Sequence, residues 1–219
     1  MTWPLHPRGP DDEEASLVRT VLLNLAFFLV FAWGNGAAAL ADGDALESLK
    51  AKIDEGVRIL DDPQLADMAH RAEKEEKLWR LSEELFDYPA MSRLVLGSYW
   101  DELTPRQKKE FYRAFTAFLR RTYVPRLLER YSGQRLNYDR QEILSPSKSV
   151  VGAYVMWNEI KVPFSVHMIK RQAGWKIYDI SIVGVSSVKN YRAQFRWLLL
   201  SGSFDRLIAR LNDRAQPAS

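Results

Sequence analysis

The apolar residues of this chain change their repeat twice, and that change limits the folds open to it. From Leu46 to Tyr131 they recur every three or four positions, as on a helix with one buried face. Leu46, Leu49, Ile53, Val57 and Leu60 form the first such stripe. Beyond Ser132-Gly133 the repeat shortens to two. Ile160, Val162, Phe164, Val166 and Met168 alternate with Lys161, Pro163, Ser165 and His167, which marks a strand with one apolar face. Past Gly184 the helical repeat returns. Helices, a block of consecutive strands, then helices again describe an α+β domain.

Breakers divide these blocks. Asp61-Asp62-Pro63 closes the first helix and opens a second, read over 64–86, with Pro63 suited to a first turn. Asp87-Tyr88-Pro89 ends that one, and a short helix follows to about Trp100. Thr104-Pro105-Arg106-Gln107 is a helix start with a capping box. The helix it opens carries Phe111, Phe115, Phe118 and Leu119 on one side, and Pro125 kinks or ends it. Four strand-like segments span 134–144, 149–158, 160–171 and 174–183. Gln172-Ala173-Gly174 joins the last two as a short hairpin, and Pro163 suits an edge or a bulge. Helices from Val185 to Leu200 and from Ser203 to Leu211 complete the chain. The expected architecture is a curved antiparallel sheet of about four strands packed against several helices, in one domain over 42–219.

The leading segment has its own pattern. Val21 to Trp33 is a nearly unbroken apolar run behind Arg19, shorter than the ~20 residues that span a bilayer. Ala39-Leu40-Ala41 has the small-x-small form of a cleavage site. Residues 1–41 are therefore expected to be a signal peptide cleaved near Ala41; retention of the run as an anchor is the alternative. Asp11-Asp12-Glu13-Glu14 makes this leader unusually acidic. A later, non-Met start near Val18 would remove that anomaly.

Most catalytic chemistry lacks its residues. There is no cysteine, which excludes a disulfide framework, a zinc–thiolate site and a cysteine nucleophile. The histidines are His6, His70 and His167. No His-x-x-x-His pair, Gly-x-Ser-x-Gly elbow or Gly-rich phosphate loop occurs. Neither a metal nor a cofactor is expected, and the chain reads as a non-enzyme. Asp179 with His167 is the one acid–base candidate for an exported enzyme sharing the fold. The plainer reading of Asp179 is a strand-end acid paired with an arginine. Residues 106–135 hold nine bases and two acids, so docking of a protein partner is expected at Arg113, Arg120 and Arg121. An adaptor working through this helix is a further alternative. No nucleic-acid motif accompanies the charge.

Several motifs, in order, resemble one family. They are Phe86-Asp87-Tyr88-Pro89-Ala90-Met91 through Gly97-Ser98-Tyr99-Trp100, then Thr104-Pro105-Arg106-Gln107 with Phe111 and Phe115. The strongest is Gly174-Trp175-Lys176-Ile177-Tyr178-Asp179-Ile180-Ser181-Ile182-Val183-Gly184-Val185-Ser186-Ser187, continued by Lys189-Asn190-Tyr191-Arg192-Ala193-Gln194-Phe195. Over about 75–211 the chain is similar to the MlaC family, the periplasmic lipid-binding component of the Mla lipid-asymmetry system. That resemblance implies an NTF2-like fold with an apolar cavity between sheet and helices, and a periplasmic location. It implies a monomer that shuttles phospholipid between an inner-membrane ABC transporter with an MCE ring and an outer-membrane lipoprotein–porin complex. The expected cavity-lining residues are Leu96, Tyr99, Phe111, Phe115 and Leu119 from helices, and Tyr154, Met156, Phe164, Val166, Met168, Tyr178, Ile180 and Ile182 from strands. Val188, Tyr191 and Phe195 follow from the next helix. Val183 departs from the family, which often has Glu there.

Overall fold

A computed structural model describes residues 44–134, 136–157, 160–200 and 202–213. The expected leader, residues 1–41, lies outside them. Among the described residues no helix is long and apolar enough to cross a membrane.

Among the described residues, seven α-helices flank a five-stranded antiparallel sheet. The helices are α1 (Ala45–Asp61), α2 (Arg71–Leu85), α3 (Tyr88–Leu96), α4 (Tyr99–Glu102), α5 (Pro105–Arg130), α6 (Ser187–Leu200) and α7 (Phe204–Asp213). The strands are β1 (Leu136–Ser145), β2 (Lys148–Trp157), β3 (Ile160–Arg171), β4 (Gly174–Ile182) and β5 (Val185–Ser186), in the sheet order β1-β2-β3-β4-β5. The sheet is open and curved. Register shifts at Tyr138/Arg140, Ile143/Ser145 and His167/Met168 supply the extra residues that bend strands. One face of this sheet is packed against the helices.

The short helix read to Trp100 is split at Gly97-Ser98 into α3 and α4, and two further expected elements come out differently. The second helix does not start at 64. Pro63–Leu65 and Met68–His70 form separate 3-10 turns, and α2 begins at Arg71. Asp62 and Asp67 cause the break: their carboxylates accept the Gln64 and Ala69 N–H groups at 2.9 and 3.1 Å. Such local bonds compete with the helical ladder. The helix expected from Val185 begins instead at Ser187. Val185 and Ser186 form a short fifth strand, pairing with Ile182 and Ser181. The turn between is Val183-Gly184, with φ of 48° and 79°. Two left-handed residues are what a two-residue hairpin turn requires, yet valine is β-branched and ill-suited to that region.

The start of the long helix acts as read, but Pro125 does not end it. Thr104 and Gln107 form the reciprocal capping box that starts α5. α5 then runs through Pro125 to Arg130 without a break. With 26 residues it is about 39 Å long.

Candidate functional site

Cross-strand register decides which side chains meet the helices. Val151, Ala153 and Val155 of β2 lie opposite Val166, Phe164 and Val162 of β3. Phe164, Val166 and Met168 lie opposite Ile182, Ile180 and Ile177 of β4. All of these except the half-buried Val162 are buried in the central core. From the helix side come Leu96, Phe111, Phe115, Leu119, Val188, Tyr191 and Phe195, buried in the same cluster. Phe111 and Phe115 reach 0% exposure. Their rings stack at 5.5 Å, and Phe115 meets Tyr191 and Phe195 edge-on at 5.7 and 5.8 Å. Phe118 meets Tyr191 edge-on at 5.9 Å. Edge-to-face and offset rings are the favourable arrangements for such pairs. The Tyr123 and Tyr191 hydroxyls share a hydrogen bond of 2.5 Å, so the seam's polar tips satisfy each other. Burial raises the Tyr123 pKa above the ordinary phenol value.

Four expected residues sit elsewhere. Tyr99 is half-buried at the margin of the core, on α4. Tyr154 and Met156 project from the other face of the sheet, opposite Pro163 and Lys161. Met156 is 50% exposed, and Lys161 stacks over the Tyr154 ring at 3.9 Å. Both alternating sets of β2 are largely apolar, and it is the smaller set, Val151, Ala153 and Val155, that turns inward. Tyr178 falls in the register shift beside His167, and Ile177 takes the inward place at 0% exposure.

Three polar side chains hold the frame around the seam, and of these only Asp179 is a candidate from the sequence, as half of the acid–base pair. Asp87 caps α3 by accepting the Ala90 N–H at 2.9 Å, and its other oxygen accepts from Arg171 Nε at 2.7 Å. Its own N–H donates to the Ile177 carbonyl, tying α3 to β4. Arg192 of α6 donates to the Leu94 carbonyl at 2.6 Å, closing the C-terminal end of α3. Asp179 of β4 accepts the Val188 N–H at 3.0 Å and the Ser186 hydroxyl, holding the N-terminus of α6. Aspartate before x-Pro is a cap signal, and Asp87 was legible that way; Arg192 carried no signal of its own.

The arginine expected beside Asp179 is therefore replaced by a helix N-terminus and Ser186. His167 lies directly opposite Asp179 in the β3–β4 register. Its Nε2, however, is 3.3 Å from the Ser181 hydroxyl, so acid and imidazole engage different partners. His70 is exposed. Among the described residues no cluster of three or more metal-ligating side chains occurs.

The basic helix also divides. Arg120 is bound to Glu76 at 2.6 Å and stacks over Trp79 at 5.7 Å. Its hydrogen bond, with a second from Arg80, holds the Glu76 carboxyl below its ordinary pKa. Arg121 donates to the Leu211 carbonyl at 2.9 Å near the end of α7. Of the three arginines expected to dock a partner, only Arg113 stands clear of such structural bonds. It lines a recess of about 730 Å³ between α5 and α7.

Comparison with known proteins places this arrangement. The family model described as "MlaC protein" matches residues 50–213. A curated relative from Haemophilus influenzae, "Intermembrane phospholipid transport system binding protein MlaC", is 22% identical over 126 residues, covering 55% of this chain. The match spans 58% of that relative's length. A solved structure from Ralstonia solanacearum, described as a phospholipid-binding protein in complex with a phospholipid, superposes with a TM-score of 0.66 at 26% identity. The superposition covers 79% of this chain and 97% of that one.

Proposed function

Because the chain belongs to the MlaC family, we propose that it is a phospholipid carrier that holds acyl tails in the seam between its sheet and its helices. The observation that carries this reading is the one-sided sheet. Phe164, Val166, Met168, Ile180 and Ile182 share one core cluster with Phe111, Phe115, Leu119, Tyr191 and Phe195. A wall of this kind binds hydrocarbon without specific polar contacts, at about 0.8 kcal/mol for each buried methylene. Because these side chains pack against one another, tails enter by parting the helices from the sheet face. Head groups stay at the margin, near Tyr99. The neighbour that binds phospholipid is similar over nearly all of its own length, which supports the same cargo here.

The carrier works in the periplasm after loss of residues 1–41, as a monomer. It passes lipid between an inner-membrane ABC transporter with an MCE ring and an outer-membrane lipoprotein–porin complex. It does so without chemistry, since the carboxylate of Asp179 is spent on the α6 N-terminus. Native mass spectrometry of the purified mature protein tests the reading. Co-purifying phospholipid that exchanges with added lipid is expected; protein that stays lipid-free when offered phospholipid vesicles overturns it.

A further inference from the structure

The recess between α5 and α7 stands apart from the seam. Its rim carries Arg106, Lys109 and Arg113, with Glu110 as the single acid and Asn212 across from them. Its floor is Ala114, Ala117 and Ile208. Arg106, Lys109 and Arg113 are exposed. No carboxylate among the described residues engages any of the three, although Lys or Arg pairs repeatedly with Glu on α1 and α2. Unlike Arg120 and Arg121, these cations have no task inside the fold.

We propose that this recess docks an acidic amphipathic helix of a protein partner. The spacing of the cations argues for it. Positions 106, 109 and 113 advance by three and four residues along α5, so the charges spread over about 10 Å of helix axis. One phosphate cannot bridge that length, whereas carboxylates at the same spacing on an antiparallel helix match it. The floor argues against a membrane as the occupant. A lipid surface meets protruding cations only, while a recess with an alanine and isoleucine floor accepts apolar side chains from between the carboxylates. The proposal rests on the carrier reading only in that a carrier has protein partners; it is indifferent to what the seam holds.

The test uses full-length mature protein with two labelled synthetic helical peptides. One carries Glu at i, i+4 and i+7, the cation spacing read in the antiparallel direction, with Leu on the same face; the other is a scramble of identical composition. Phosphatidylglycerol vesicles form a third arm. The patterned peptide is expected to bind about tenfold more tightly than the scramble, as summed surface ion pairs allow. That preference disappears in Arg106→Glu/Arg113→Glu, and also in Ala117→Trp, which fills the floor without touching the charge. Equal binding of the two peptides, or indifference to both variants, overturns the proposal. So does vesicle binding that falls in the charge variant while peptide binding does not. Lipid content, read by mass spectrometry on the same samples, stays unchanged in the variants. Failure of the carrier reading would instead show in the unmodified protein.

Discussion

Asp179 offers the sharpest test of how the seam is framed. Its two oxygens accept the Ser186 hydroxyl and the Val188 N–H, the latter at 3.0 Å. Ser186 in turn accepts the Lys189 N–H at 3.0 Å, so one carboxylate organises the first turn of α6. A hydrogen bond to a charged group contributes about 1.5–3 kcal/mol, and a negative charge at a helix N-terminus adds about 0.3–1 kcal/mol. Asp179 is only half-buried, so the lower ends apply. Asp179→Ala should cost about 2–4 kcal/mol. For a domain of this size that lowers Tm by roughly 5–15 °C. Asp179→Asn keeps an acceptor for Val188 and should cost about 1 kcal/mol. Calorimetry gives the totals, and hydrogen exchange at Val188 to Tyr191 shows where the loss falls. If Asp179→Ala stays within 0.5 kcal/mol of the parent, or if Asn is as damaging as Ala, the clasp does not hold α6. Phospholipid retention in Asp179→Asn should equal that of the parent, whereas a catalytic acid would lose its function.

Phe115→Trp overpacks the seam, should destabilise by about 1–3 kcal/mol, and should lower co-purifying phospholipid. Tyr154→Ala, on the other sheet face, should leave lipid content unchanged, and equal losses in both would refute the assignment of faces. Val183→Asn relieves a β-branched residue from a φ of 48° and should raise stability by about 1 kcal/mol in urea unfolding; no gain would mean the turn carries no strain. Burial raises the pKa of Tyr88, Tyr123 and Tyr138, and Tyr131 is pushed up to about 12 by burial and then by the Asp61 carboxylate. With folded values above the unfolded one, this contribution is complete below about pH 10 and is lost as pH rises through the folded values. Unfolding midpoints should therefore fall above pH 10, and Tyr138→Phe should soften that fall.

Legibility in the sequence followed how unequal the two faces of each element are. From Ile160 to Met168 β3 alternates its aliphatic and aromatic side chains with Lys, Pro, Ser and His, and of that apolar set Phe164, Val166 and Met168 turn into the core, Val162 is half-buried and Ile160 is exposed. β2 has apolar side chains on both faces, so period two marked a strand but not its phase. The larger residues, Tyr154 and Met156, looked more core-like, yet the inward face holds the smaller ones. β5 has two residues, too few for any period. The break before α2 comes from two carboxylates bonding their own backbone, which a hydrophobic stripe does not record. Charge composition found the basic helix but not which cations were spent. Glu76, which binds Arg120, is 44 residues away in sequence, and only the packing of α2 on α5 brings the two together.

The length of α5 gives the two sites a mechanical relation. Phe111 and Phe115, on its inner side, belong to the seam; Arg106, Lys109 and Arg113, on its outer side, belong to the recess. They sit back to back on the same few turns. A helix transmits displacement along and across itself almost as a rod, because every turn is braced by hydrogen bonds to the next. A partner gripping the outside of that rod would therefore move together with Phe111 and Phe115 on its inner side.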